Sequence, residues 1–136
     1  MPDLDHVTGL EPRSRLHERL ERLARGPGPL ALVICDVVGL KVVNEREGFL
    51  AGDAVLRRAA DRLRAAAAGA DLAARLGGDE LVAVFIGPDG PAAAGRAATV
   101  LAASGDPPLR VAAVTAEPNE PPGPLIERLY AAMRRS

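Results

Sequence analysis

The chain has 136 residues, enough for one hydrophobic core and too few for two ordinary domains. Its 17 Lys and Arg against 18 Asp and Glu give a formal charge of -1, and both signs are spread along the chain, so no long-range field selects nucleic acid or an anionic membrane. Aromatic residues make up 2% of the chain (Phe49, Phe85 and Tyr130), too few for a platform that stacks single-stranded bases. No run approaches the roughly 18 apolar residues of a membrane span. The single cysteine, Cys35, sits inside an apolar run and reads as a buried thiol in a soluble chain of the reducing cytoplasm.

Gly/Pro clusters at 26–29, 87–91, 104–108 and 117–124 punctuate the sequence. The first element is an amphipathic helix over about 12–25, with Leu16, Leu20 and Leu23 on one face. "LALVIC" at 30–35 is short, continuous and apolar, which predicts a strand buried on both faces that ends on Asp36. A helix follows with Leu56, Ala60 and Leu63 on one face, and Asp53 is expected at its cap or first turn. Residues 71–76 and 81–86 predict two strands joined by Gly77 to Glu80, a hairpin whose glycines permit positive φ. A helix near 91–103, a strand over 109–115 and a last helix from Pro124, with Leu125, Leu129 and Met133 on one face, complete the chain. The order βαββαβα behind an N-terminal helix predicts an α+β domain with a layered sheet.

A strand that is apolar to its last residue and then delivers Asp36 puts a carboxylate at a sheet end, where ligands commonly bind. If the hairpin is its neighbour, Asp79 and Glu80 arrive beside it. Three like charges that close need something positive among them, and oxygen donors without His or Cys favour a hard divalent cation such as Mg²⁺. Mg²⁺ on one or two carboxylates shares its remaining positions with phosphates, which points to a nucleoside triphosphate. Between strand and hairpin lie Lys41, a donor for phosphate; Asn44, with donor and acceptor atoms; and Asp53, able to accept the N1–H and N2–H of guanine. Alone, "GGDE" is equally a solvated turn; it is the combination with Asp36 and the 40–53 segment that favours a site. His6 and His17 have no metal-like spacing.

These residues carry a resemblance to the GGDEF-domain diguanylate cyclases. "DHVTGLEPRSRL" resembles the motif D-x-L-T-G-L-x-N-R-x-x-L, "DVVGLKVVNEREGFLAGD" resembles D-x-D-x-F-K-x-x-N-D-x-x-G-H-x-x-G-D, and "ARLGGDEL" resembles the signature, with Leu81 for Phe. The resemblance covers nearly the whole chain. It implies a single domain over 1–136, with the N-terminal helix at about 12–25 and a catalytic-type core over 30–136. The implied fold is a nucleotidyl-cyclase-like, ferredoxin-like palm sheet flanked by helices. The implied reaction condenses two GTP, one on each of two facing domains of a homodimer, to cyclic di-GMP and pyrophosphate.

By the same resemblance, Asp36 and Asp79 would bind Mg²⁺ or Mn²⁺ with the Val37 carbonyl, and Glu80 would be the base or a further metal ligand. Asn44 and Asp53 would hold the guanine edge. Gly39, Leu40 and Lys41 would hold the phosphates, and Gly77 and Gly78 would line the nucleotide. Some positions depart from the family pattern: Val38 and Phe49 stand where the family has Asp and His, Gly39 replaces an aromatic residue, and Met133 replaces the lysine of the last helix. Asp71 lacks the arginine of the product-inhibition motif. Met133, the short loop over 117–124 and the absent inhibitory arginine support the alternative, a degenerate domain that binds GTP or docks a partner without turnover. Val38, Gly39 and Phe49, by contrast, remove no metal ligand. No nucleic acid and no membrane is expected as a partner of this chain.

Overall fold

The computed structural model describes residues 3–103 and 105–135. Nine elements follow one another: α1 (Arg13–Ala24), β1 (Leu30–Val37), α2 (Leu40–Glu47), α3 (Phe49–Ala66), β2 (Leu72–Arg75), β3 (Glu80–Ile86), α4 (Gly90–Ala102), β4 (Leu109–Thr115) and α5 (Pro122–Arg135). The four strands form one sheet in the order β2-β3-β1-β4, with each neighbouring pair antiparallel. The most apolar strand, β1, is therefore central and buried along its whole length. This is the α+β arrangement expected from the element order, and β1 and β2 run parallel with β3 between them.

Side-chain alternation divides the core into two halves. From β1, Ala31, Val33, Cys35 and Val37 face a cluster with Leu56, Ala60 and Leu63 of α3 and Ala94, Ala97 and Leu101 of α4. Leu30, Leu32 and Ile34 face the other way, onto Leu16 and Leu20 of α1 and Leu125, Leu129 and Met133 of α5. Period two in the strand meets the 3.6-residue stripe of a helix on each face, giving three layers. Cys35 is wholly buried in the first cluster, and burial, with Asp36 next to it, pushes its thiol up to about 12. It is a core residue, as its apolar setting predicts.

The structure corrects three boundaries. The segment after β1 forms two helices rather than one, because Gly48 (φ 94°, ψ 166°) takes a conformation closed to other residues and breaks the path between α2 and α3. Asp53 consequently lies in the second turn of α3 and caps nothing; Gly48 is the N-cap. The first hairpin strand is trimmed at both ends to Leu72–Arg75 and the second begins one residue earlier, at Glu80, so Glu80 belongs to the sheet and not to the turn. The last helix begins at Pro122 rather than Pro124, with both prolines in its first turn, where a missing N–H is harmless.

Leu63 and Leu129 are fully buried, one on each side of the sheet. Leu63→Ala and Leu129→Ala are each expected to lower stability by about 2–5 kcal/mol, read from the shift in a urea unfolding midpoint. A loss well below that at either position would mean that the face concerned is not a packed half of the core.

Candidate active site

The site lies at the end of the sheet where β1 finishes. Register puts Glu80, Asp36 and Arg110 in one row across β3, β1 and β4, because Asp36 is opposite Glu80 on one side and opposite Arg110 on the other. Their parity is that of Leu32 and Ile34, so the row faces the α1 and α5 side. Asp36 is only 6% exposed, an acidic residue set at the edge of the core. A carboxylate this buried requires a counter-charge. Arg110 supplies it through two parallel hydrogen bonds, Nε donating to Oδ1 at 3.1 Å and Nη2 to Oδ2 at 2.6 Å. That hydrogen bonding, and then the charge of Asp36, hold the Arg110 guanidinium even more firmly protonated than usual.

Glu80 has a different partner. The Tyr130 hydroxyl of α5 donates to Glu80 Oε1 at 3.0 Å. Burial pushes the Glu80 carboxyl above the ordinary Glu range and the charges of Asp79 and Asp36 push the same way, while the Tyr130 hydrogen bond and Arg13 offset part of the effect. Tyr130 is itself raised, by burial and then by the charge and hydrogen bond of Glu80. Nothing in the sequence motifs points to this contact of Tyr130 with Glu80.

The double glycine has a specific reason. Neither Gly77 nor Gly78 is among the residues with positive φ, so the expectation of a left-handed turn does not hold. A Cβ on Gly77 would instead lie 2.0 Å from Glu80 Oε1, whereas one on Gly78 would meet nothing within 4 Å. Gly77 is the clearance that lets the Glu80 carboxylate fold back over the turn. Arg75 fixes that turn from below, donating to the carbonyls of Gly77 at 3.2 Å and Gly78 at 2.7 Å and to Asp5 at 3.1 Å. Asp5 in turn accepts from the Thr8 N–H and hydroxyl, both at 2.8 Å. The motif "DHVTGL" therefore acts as a brace for the hairpin.

On the other side of the turn, a cavity of about 370 Å³ is lined by Leu40, Lys41, Asn44, Phe49, Asp53, Leu56, Arg75, Gly78 and Asp79. Six of the residues singled out in the sequence, Leu40, Lys41, Asn44, Asp53, Gly78 and Asp79, thus share one space. Gly39 (φ 79°) caps α2 without any side-chain hydrogen bond to the helix, and no acidic residue occupies the first turn. The N–H groups there remain available to an anion. Lys41 is highly exposed and only loosely paired with Glu45, at 4.0 Å. Asn44 Oδ1 is buried without a hydrogen-bond partner and packs on Gly52, where a Cβ would come within 1.7 Å of it. Phe49 stands 75% exposed at the rim.

The two groups meet through the turn: the Val37 N–H donates to the Asp79 carbonyl at 3.2 Å, and the Val38 N–H to that of Pro108 at 3.0 Å. Asp36, Val37 and Glu80 lie outside the cavity lining, on the sheet side of that joint. A larger cavity, about 430 Å³ at the opposite end of the sheet, has Glu117 as its only charged lining residue. Among the described residues, no three His, Cys, Asp or Glu side chains are grouped to hold a metal ion; Asp36 is turned to Arg110 and Glu80 to Tyr130. The donors at this end are nonetheless all oxygen, and two of them are cross-strand neighbours, a set that fits a hard divalent cation. No helix among the described residues is long and apolar enough to cross a membrane.

A palm-like α+β sheet with acidic residues where β1 ends and β3 begins defines the class. Residues 3–113 match the family described as "Diguanylate cyclase, GGDEF domain", and the chain belongs to that family. It is 42% identical over 85 residues to the diguanylate cyclase DgcP of Pseudomonas aeruginosa, covering 60% of this chain and 13% of that protein. It is equally 42% identical over 108 residues to an uncharacterized signaling protein of Caulobacter vibrioides, covering 73% of this chain and 13% of that one. Among the first curated relatives it matches, the chain spans about 14% of their length.

Among solved structures, the GGDEF domain of DgcB from Caulobacter crescentus, in complex with c-di-GMP, superposes with a TM-score of 0.86 at 23% identity, covering 100% of this chain and 90% of that one. A sensory box/GGDEF family protein from Caulobacter crescentus CB15 superposes with a TM-score of 0.77 at 32% identity, covering 98% and 97%. The single-domain fold expected from the sequence is the fold observed.

Two of these contacts make measurable demands. Burial alone would raise the Asp5 carboxyl, but the Thr8 hydrogen bonds and Arg75 outweigh it and hold the group below its ordinary 3.8. The stability it contributes is present above that value and lost as pH falls through the lower, folded one. Asp5→Asn is therefore expected to flatten the acid limb of the stability curve below about pH 4, followed by thermal unfolding at a series of pH values; an unchanged limb would rule out the brace. For Glu80, whose carboxyl is raised, stability falls as pH rises from the ordinary value of 4.5 through the raised one. Tyr130→Phe removes a contact that favours the ionised form. It is expected to move the Glu80 titration, read by carboxyl ¹³C NMR, further upward and to reduce stability at neutral pH by about 0.5–1.5 kcal/mol.

Proposed function

We propose that the chain is a diguanylate cyclase domain, which condenses two GTP to cyclic di-GMP and pyrophosphate when two copies face each other, each holding one nucleotide. The observation that carries this reading is the shared cavity, in which Asn44, Asp53, Lys41 and Asp79 converge beside the Asp36–Glu80 pair. Asp53 accepts from the guanine N1–H and N2–H, and Asn44 supplies a further polar atom at the base edge. The uncapped N-terminus of α2, with Gly39 and Leu40, receives phosphate oxygens, and Lys41 adds a positive charge. Adenine lacks the N1–H donor, so the Asp53 contact favours guanine over adenine.

Asp36, Asp79 and the Val37 carbonyl are the residues that would hold Mg²⁺ or Mn²⁺. The cation, when bound, neutralises charge on the phosphates and polarises the α-phosphorus. Glu80, with its proton affinity raised by burial and its carboxylate held by Tyr130, would take the proton of the ribose 3′-hydroxyl. The 3′-oxygen of each GTP attacks the α-phosphorus of the other, so two phosphodiester bonds form, two bonds to pyrophosphate oxygens break and two pyrophosphates leave. Such a displacement depends on positioning and charge neutralisation more than on covalent participation by the protein. One chain supplies half of what the reaction needs, so the rate depends on pairing.

The test is to incubate purified protein with GTP and Mg²⁺ over a wide range of protein concentrations and to separate the nucleotides by chromatography. Cyclic di-GMP is expected, at a rate rising faster than linearly with protein. Asp79→Asn is expected to lower that rate by a hundredfold or more, on the order of the loss when a transition-state contact is removed. Unchanged GTP from a cooperatively folded, nucleotide-free sample would overturn the catalytic reading. GTP binding in that same sample would leave the domain as a binding module.

A further inference from the structure

The sheet end carries a cation that none of the sequence motifs includes. Arg110 reaches across from β4 and engages both oxygens of Asp36, at 3.1 Å and 2.6 Å. The Asp36 side chain is 8% exposed and that of Arg110 is 54% exposed. The pair therefore joins a carboxylate fixed in the sheet to a cation that can swing into solvent without repacking the core. The charge of Asp79 also reaches Arg110, so one guanidinium lies in the field of both carboxylates assigned to the metal. A carboxylate gripped by a guanidinium fork is not free to ligate a divalent cation at the short distances Mg²⁺ requires, and the two positive groups repel. Arg110 and the cation compete for Asp36.

In the last helix, Met133 stands where the family pattern has a lysine, and it is packed among Leu125, Leu129 and the strand residues of the core. Arg110, half exposed, is a cation at this end of the sheet beyond Lys41 and the α2 N-terminus already given to the phosphates. We propose that Arg110 exchanges partners: it neutralises Asp36 until a divalent cation takes that carboxylate, and the released guanidinium then holds phosphate oxygens of the nucleotide. The inference rests on the metal and GTP reading above and adds a residue to it.

The two halves of the exchange have opposite signs, which makes them separable. Titration calorimetry on the whole chain would use Mn²⁺ alone, and then α,β-methylene-GTP in the presence of Mn²⁺, with wild type, Arg110→Ala and Arg110→Lys. Arg110→Ala is expected to bind Mn²⁺ alone several-fold more tightly than wild type and the nucleotide about ten- to a hundredfold more weakly. Arg110→Lys keeps a charge without the fork and is expected to fall between the two on both readouts. Cooperative thermal unfolding checks that each variant is folded; should Arg110→Ala not fold, Arg110→Gln takes its place.

Unaltered or weaker Mn²⁺ affinity in a folded variant would overturn the competition, and unaltered nucleotide affinity would overturn the exchange. Wild-type protein that takes up neither Mn²⁺ nor the nucleotide analogue would sink the functional reading itself, and this inference with it. Binding of both by wild type, with no change in the variants, sinks the inference alone.

Discussion

The architecture turns on one acidic residue placed where a hydrophobic strand ends. Asp36 continues the side-chain alternation of β1 onto the face that Leu30, Leu32 and Ile34 present to α1 and α5, so its carboxylate emerges at the margin of a packed core. Leaving it uncompensated there would be expensive. Both flanking strands respond to it, β4 with Arg110 in direct opposition and β3 with Glu80, whose charge then has to be accommodated as well. Tyr130 reaches down from α5 to do that. The sheet end is thus a chain of electrostatic obligations that begins with Asp36, and each member is brought in by a different element.

Two glycines illustrate how the backbone serves those side chains. Gly77 and Gly52 are each constrained by a neighbouring polar group, Glu80 Oε1 in one case and Asn44 Oδ1 in the other, and a Cβ at either position would collide with it. In both cases the displaced atom would belong to a residue that the functional reading needs. Such glycines are maintained by the placement of a side chain rather than by a turn. That distinguishes them from Gly39 and Gly48, whose positive φ sets the course of the chain around α2.

Much of this was legible in the sequence, and the part that was not has a common cause. Strand and helix stripes such as Leu32 and Ile34 in β1 or Leu56, Ala60 and Leu63 in α3 are local patterns, so the elements and their buried faces followed from periodicity. The motif residues Asn44, Asp53 and Asp79 line one cavity. By contrast, Arg110 meets Asp36 across 74 positions of sequence, Tyr130 meets Glu80 across 50, and Arg75 meets Asp5 across 70. No periodicity reports such pairs, since each depends on strand register and on which helix lies over which strand. Helix α2 was missed for a local reason: Leu40 is its one buried residue and it ends in the polar run over 44–47, so no apolar stripe marks it.

The division of the site between two faces explains why the hairpin turn is braced so heavily. The nucleotide-sized cavity opens toward α2 and α3, while the Glu80–Asp36–Arg110 row faces α1 and α5. The hairpin turn touches both, since Gly78 and Asp79 line the cavity and the Asp79 carbonyl is tied to the Val37 N–H. On the proposed function, a shift of this turn would separate the base and phosphates from Asp36 and Glu80. Geometric tolerance in phosphoryl transfer is small, with misplacement by about 1 Å able to cost a hundredfold in rate. Arg75 removes that freedom by donating to two successive carbonyls of the turn, and Asp5 and Thr8 remove the freedom of Arg75 in their turn. The N-terminal motif, far from the chemistry in sequence, is therefore part of what holds the two halves of the site in register.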